Sequence, residues 1–93
     1  MSCLPDSIIR SKLRELSGWE FESNAIRKTF TFNRYMDGIS FVMKVAEKAE
    51  TADHHPDIVI GWCRVEVSFT SHDKGGVTEK CLYMAKETNK IKR

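Results

Sequence analysis

The sequence predicts an α+β domain: a four-stranded antiparallel sheet with three helices on one face, in the order α-β-β-α-β-β-α. Three observations point there. Two stretches alternate apolar and polar residues with a period of two, each next to a short turn. Three others repeat their apolar residues at helical spacing. The two kinds interleave as helix, two strands, helix, two strands, helix. The 93 residues suffice for one domain over 1–93 and exclude a separate cofactor-binding half. Hydrophobic residues make up 41% of the chain, enough to fold. A domain this small still hides only about 60–65% of its unfolded surface, so a partner subunit would help it.

Pro5 opens the first helix, which carries Ile8, Ile9, Leu13 and Leu16 and ends at Gly18. Trp19 to Glu22 is short and aromatic, and Ser23-Asn24 supplies a turn. Ile26, Phe30 and Phe32 then alternate with Arg27, Thr29 and Thr31, with Lys28 as the exception, so the segment reads as a hairpin with one buried face. Asn33 is a candidate cap for a long helix from about Arg34 to Glu50. Tyr35, Ile39, Val42, Ala46 and Ala49 form the centre of its apolar arc, widened by Phe41 and Val45 on one side and Met36 and Met43 on the other. A helix apolar over more than half its girth needs two surfaces, its own sheet and, we expect, a second subunit. A monodisperse monomer by light scattering at micromolar concentration contradicts that expectation. Ile58 to Ile60, a turn at Gly61-Trp62, and Val65, Val67 and Phe69 alternating with polar residues make the second hairpin. Gly75-Gly76 breaks the chain, Thr78 is a candidate cap, and the last helix runs through Leu82 and Ala85.

Fifteen Lys and Arg against thirteen Asp and Glu leave a net +2, with both signs scattered. A nucleic-acid footprint gathers cations on one face, so nucleic acid is not an expected partner. Lys86, Lys90, Lys92 and Arg93 read as a solvated helix end. Cys3, Cys63 and Cys81 are odd in number and lack metal spacing, which suggests reduced thiols. The chain has no 18-residue apolar run and no basic-then-apolar start, so a cytoplasmic location away from membranes is expected.

Three histidines occur, all at the ends of regular elements: His54 and His55 before Pro56, and His72 after the last strand. Such loops commonly carry reactive groups, and imidazole both gives and takes protons near neutral pH. Pro56 stiffens its surroundings, so the adjacent rings should point in different directions and suit two tasks. Glu50 falls inside the apolar arc by angle. Either it pairs with His54, four residues on, or it sits in water at a frayed helix end. The histidines and cysteines lack the spacing that gathers zinc ligands, so no metal is expected. Asp73-Lys74-Gly75-Gly76 before a helix offers only a weak phosphate-loop pattern. Trp19 and Trp62 are candidate pocket walls or core residues, and Cys63 reads as filling.

One constellation is specific: Glu50-Thr51-Ala52-Asp53-His54-His55-Pro56, then Trp62, then nine residues to His72 and on through Asp73-Lys74-Gly75-Gly76-Val77-Thr78. With Leu16-Ser17-Gly18-Trp19, the strand from Arg27 to Phe32, Val45-Ala46 and the run from Arg64 to Thr70, it resembles the pterin-4a-carbinolamine dehydratases over nearly the whole chain. The resemblance implies a hydro-lyase that dehydrates 4a-hydroxytetrahydrobiopterin to quinonoid dihydrobiopterin, recycling the cofactor of aromatic amino-acid hydroxylases. It implies no cofactor or metal, and assembly into homo-dimers or homo-tetramers. Animal members also act as a dimerisation cofactor of a transcription factor, so a non-catalytic interaction role is the alternative. The substrate contacts it implies are Asp53, His54, His55, Thr70, Ser71, His72 and Asp73, with His54, His55, His72 and Glu50 catalytic. His54 and His72 are the expected proton-transfer pair, His55 orients the pterin, and Glu50 holds His54. Where the family usually has an Asp, nine residues beyond His72, this chain has Cys81, which removes a capping carboxylate and an electrostatic aid to His72.

Overall fold

The computed structural model describes residues 3–93. Its elements are α1 (Asp6–Leu13), β1 (Glu20–Glu22), β2 (Ala25–Thr31), α2 (Tyr35–Ala52), β3 (Asp57–Gly61), β4 (Arg64–Phe69) and α3 (Glu79–Asn89), in the expected order. The strands form one antiparallel sheet ordered β1-β2-β4-β3.

The two central strands set the layers. Ile26 lies opposite Phe69 and Phe30 opposite Val65, so the apolar sets of β2 and β4 share one face. Those four side chains, with Val67, are buried in one cluster with Ile9 of α1, Phe41, Val45 and Ala49 of α2, and Cys81, Leu82, Met84 and Ala85 of α3. All three helices thus contribute to one core. The alternation explains the polar side too: Arg27, Thr29 and Thr31 fall on the other face beside Arg64, Glu66 and Ser68.

Lys28, opposite Val67, is the exception on the inner face. Its stem crosses the Phe30 ring, with Nζ 4.7 Å from the centroid. The ammonium donates to Ser17 O at 2.8 Å and to Asn89 Oδ1 at 2.9 Å. Burial and the nearby Arg93 lower its pKa. The long stem lets an inner-face position carry its charge out to Ser17 and Asn89.

α2 lies close to the sheet at Gly38, where a Cβ would stand 3.3 Å from Phe32 Cδ1 and 3.4 Å from Val65 Cγ2. Several local expectations are corrected. α2 starts one residue late, at Tyr35, behind an extended Arg34 that makes no side-chain capping bond, so Asn33 is not its cap. It runs on to Ala52. Its buried line is Gly38, Phe41, Val45 and Ala49, whereas Tyr35, Met36 and Met43 are exposed. The arc's centre is displaced because the helix packs toward its Phe41 side. α1 stops at Leu13 and the chain turns on to Gly18. The second hairpin turns at Trp62-Cys63, with Cys63 at φ +56°, so Cys63 is a turn residue and not filling. Trp62 is 82% exposed at the hairpin tip and is not a core residue, while Trp19 is buried against Phe30 and Phe69 with Nε1 donating to Asn89 Oδ1 at 3.0 Å. Among the described residues no helix is long and apolar enough to cross a membrane.

Candidate active site

Two loops converge at one end of the sheet. The first begins where α2 ends. Asp53 adopts φ +52° and ψ +45°, and it donates N–H to Glu50 O at 3.3 Å while His54 donates to Ala49 O at 3.1 Å. This pair of bonds around a left-handed residue is a Schellman closure. Glycine usually fills that position, and Asp tolerates it better than most residues. The reversal sends the two neighbouring histidines in different directions.

His54 turns inward. Its ring lies nearly parallel to Phe69, 11° off with centroids 6.0 Å apart, and its Nε2 is 3.3 Å from Cys81 Sγ. The residue is half-buried. Burial chiefly, then the ammonium of Lys80, pushes its pKa below the ordinary value; His55 and His72 add to this and Asp73 opposes it. His55 turns outward and bonds Glu50, its Nε2 against Oε2, with both side chains exposed. This corrects the expectation that Glu50 holds His54. Extending α2 to Ala52 places Glu50 in its last turn, facing solvent, where the returning chain brings His55 to it.

The second loop follows β4. Ser71 O accepts from the amides of Lys74 at 3.0 Å, Gly75 at 2.9 Å and Gly76 at 3.3 Å, while Ser71 N–H donates to Gly76 O at 2.9 Å. Gly75 supplies the φ of +77° that closes this knot. Those amides are thereby spent, and the phosphate-loop reading falls. The N-terminal segment ties the same loop down: Leu4 N–H donates to Val77 O and the Cys3 thiol to Lys74 O, each at 2.9 Å. Thr78 precedes α3 as expected but makes no capping bond with its side chain. Its hydroxyl instead meets Ser71 Oγ at 2.7 Å.

Between the loops lies a cavity of about 300 Å³, lined by Asp53 and His54 from the first and by Ser71, Asp73, Lys74, Thr78 and Lys80 from the second loop and the start of α3. Of the expected substrate contacts, Asp53, His54, Ser71 and Asp73 are brought together there. His55 stands outside with Glu50, and His72 is exposed with Nε2 3.9 Å from Asp57 Oδ2. Thr70 is turned elsewhere, its hydroxyl donating to Asn24 O at 2.7 Å. Cys81 touches His54 and not His72, which corrects the sense of that departure. Lys80 carries no sequence signal, Phe69 reads only as a strand residue and Thr78 only as a cap, because a lone Lys or a strand-end Phe resembles any other. Among the described residues no group of three His, Cys, Asp or Glu is arranged to hold a metal ion. What the residues offer is a polar cleft with one half-buried imidazole in its wall and two exposed ones on the loops that form it.

An α+β domain with this pair of loops is the architecture of the pterin dehydratases. The family model described as pterin 4 alpha carbinolamine dehydratase matches residues 2–91, and the chain belongs to that family. A protein of Mycobacterium sp. (strain KMS), provisionally named a pterin-4-alpha-carbinolamine dehydratase, is 45% identical over 91 residues, covering 98% of this chain and 97% of its own. A similarly named protein of Sulfolobus acidocaldarius is 40% identical over 88 residues, covering 95% and 97%. A solved Brucella melitensis structure, described as a transcriptional coactivator/pterin dehydratase, superposes with a TM-score of 0.90 at 33% identity over 95% of this chain and 96% of that one. A pterin dehydratase-like protein described as a RuBisCO assembly factor in the alpha-carboxysome shares the fold, with a TM-score of 0.63 at 19% identity over 76% and 82%.

Proposed function

We propose that the protein dehydrates 4a-hydroxytetrahydrobiopterin to quinonoid dihydrobiopterin by histidine acid–base catalysis, as a hydro-lyase that recycles the cofactor of aromatic amino-acid hydroxylases. The observation that carries this reading is the convergence of Asp53-His54 and Ser71-Asp73 on one cavity with a ring-stacked imidazole in its wall. In the reaction the C4a–O bond breaks, the oxygen leaves as water after gaining a proton, and N5 gives up its own proton. No electrons are exchanged, so positioned proton donors and acceptors suffice and supply about 10²–10⁴ in rate.

The roles follow the partners. His54 lines the cleft and meets the pterin, with Asp53, Ser71 and Asp73 binding polar edges of the ring. His55, backed by the Glu50 carboxylate, carries the proton to the leaving oxygen, and His72 receives the N5 proton. Thr70 supports this loop through its bond to Asn24. The protein works in the cytoplasm as a homo-dimer or homo-tetramer, with the exposed Tyr35, Met36 and Met43 covered by a second subunit. The same exposed face favours a second reading, in which the domain stabilises another protein's dimer.

Stopped-flow decay of a synthetic 4a-hydroxytetrahydropterin separates the two. The enzyme reading expects the protein to accelerate the decay and His55→Ala and His72→Ala to abolish most of the gain. Decay at the uncatalysed rate with folded protein present would leave only the interaction role.

A further inference from the structure

The loop that carries Ser71, His72 and Asp73 closes on itself at Gly76, whose amide and carbonyl both bond Ser71. A segment far away in sequence, Cys3-Leu4, is tied across it. Cys3 Sγ lies 2.9 Å from Lys74 O, and a carbonyl only accepts, so the thiol donates. Leu4 N–H donates to Val77 O at 2.9 Å, just past the neck of the loop. Between these ties the two chains nearly touch: a Cβ on Gly76 would stand 3.1 Å from Cys3 Sγ. Apart from Gly76's own chain neighbours, only Cys3 comes within 4 Å of that point. The other end of the segment is fixed. Leu4 packs on the core, and Pro5 O accepts from the amides of Ile8 and buried Ile9 at the start of α1.

We infer that Cys3 and Leu4 form a positioning strap, which holds the second loop where Ser71 and Asp73 reach the cavity and so also fixes where His72 stands. A loop closed only on its own neck can tilt as a unit, and two bonds from a separate element remove that freedom. The bond from Thr70 to Asn24 O restrains the strand side of the same loop, and the strap restrains the side that leads to α3. Gly76 admits the strap, because any side chain there would push Cys3 away. The bearing on catalysis rests on the dehydratase reading, in which this loop supplies His72 and substrate contacts. That the strap orders the loop does not depend on it.

The test pairs amide hydrogen exchange with turnover of a synthetic 4a-hydroxytetrahydropterin, both on the full chain. Cys3→Ala should speed exchange at Lys74, Gly75 and Gly76 by about two- to tenfold, the net worth of one hydrogen bond. It should lower kcat by a similar factor and leave the urea midpoint unchanged. Cys3→Ser, which keeps a donor, should restore both. Gly76→Ala should act as Cys3→Ala does, because its methyl displaces the strap, and combining the two should cause no further loss. Wild-type exchange and turnover in Cys3→Ala overturn the inference, as do Cys3→Ala and Gly76→Ala effects that add. Faster exchange with unchanged kcat also overturns it, since the tie would then be structural only. Should Gly76→Ala not fold, the two Cys3 variants decide. A wild type that leaves the pterin decay uncatalysed sinks the dehydratase reading alone, and the exchange rates still decide whether the strap holds the loop.

Discussion

His54 and His55 are adjacent in the chain and alike in chemistry, yet the fold gives them opposite surroundings. His54 is half-buried, stacked on Phe69 and bonded to a buried thiol, with burial and Lys80 holding its pKa down. His55 is exposed and bonded to the Glu50 carboxylate. The first environment disfavours the charged ring; the second leaves the imidazole in water beside a carboxylate that bonds it. What separates them is one left-handed residue, Asp53, at the end of α2. A backbone reversal thus splits one kind of side chain between cleft and solvent.

The comparison breaks most visibly on deletion. His55→Ala should lower turnover by about 10²–10⁴ while changing folding stability by no more than about 0.5 kcal/mol, because its side chain packs against little. His54→Ala should cost activity and also about 1–2 kcal/mol of stability, since it strips the face of Phe69 and strands the Cys81 thiol. Stopped-flow turnover and urea midpoints on the same samples check both; equal stability losses would erase the distinction. A smaller effect is expected at the reversal. Asp53→Ala should destabilise by up to about 1 kcal/mol because Ala lacks the short polar side chain that eases the left-handed region, whereas Asp53→Gly should be neutral or slightly stabilising by the same denaturation measurement. The smallest effect sharpens the comparison through pH. The unfolded chain protonates His54 at about pH 6.5, and the folded protein only at lower pH. The unfolded state thus binds more protons in that window, so stability is full above it and falls as the pH drops through it. Urea titrations between pH 8 and pH 5 should show that slope weakened in His54→Asn and retained in His55→Asn.

Much of the fold was legible because its signals are local. The alternation of Val65, Val67 and Phe69 needs only the two-residue period of a strand, and the α2 arc needs only helical angles. The candidate loops were legible for a similar reason: Asp53-His54-His55-Pro56 and Ser71-His72-Asp73 are contiguous and flank regular elements. Glu50 was misassigned because angle alone put it in the apolar arc, and which half of that arc packs depends on how α2 meets the sheet. Trp62 was misjudged because a turn residue at a hairpin tip is exposed whatever its hydrophobicity. Cys81 was set beside the wrong histidine because 27 residues separate it from His54, and no periodicity spans that gap.

The amino-acid order by itself determined the succession of elements, the face that each strand buries and the two loops that carry the histidines, since these depend on residue periods and on turn chemistry within a few positions. Only the tertiary structure decided which histidine meets the Glu50 carboxylate and which the Cys81 thiol, and that His54 alone of the three lines the cavity. Those pairings join residues around the end of α2 and between the loop after α2 and the start of α3, where distance follows from the packing of whole elements and not from separation along the chain.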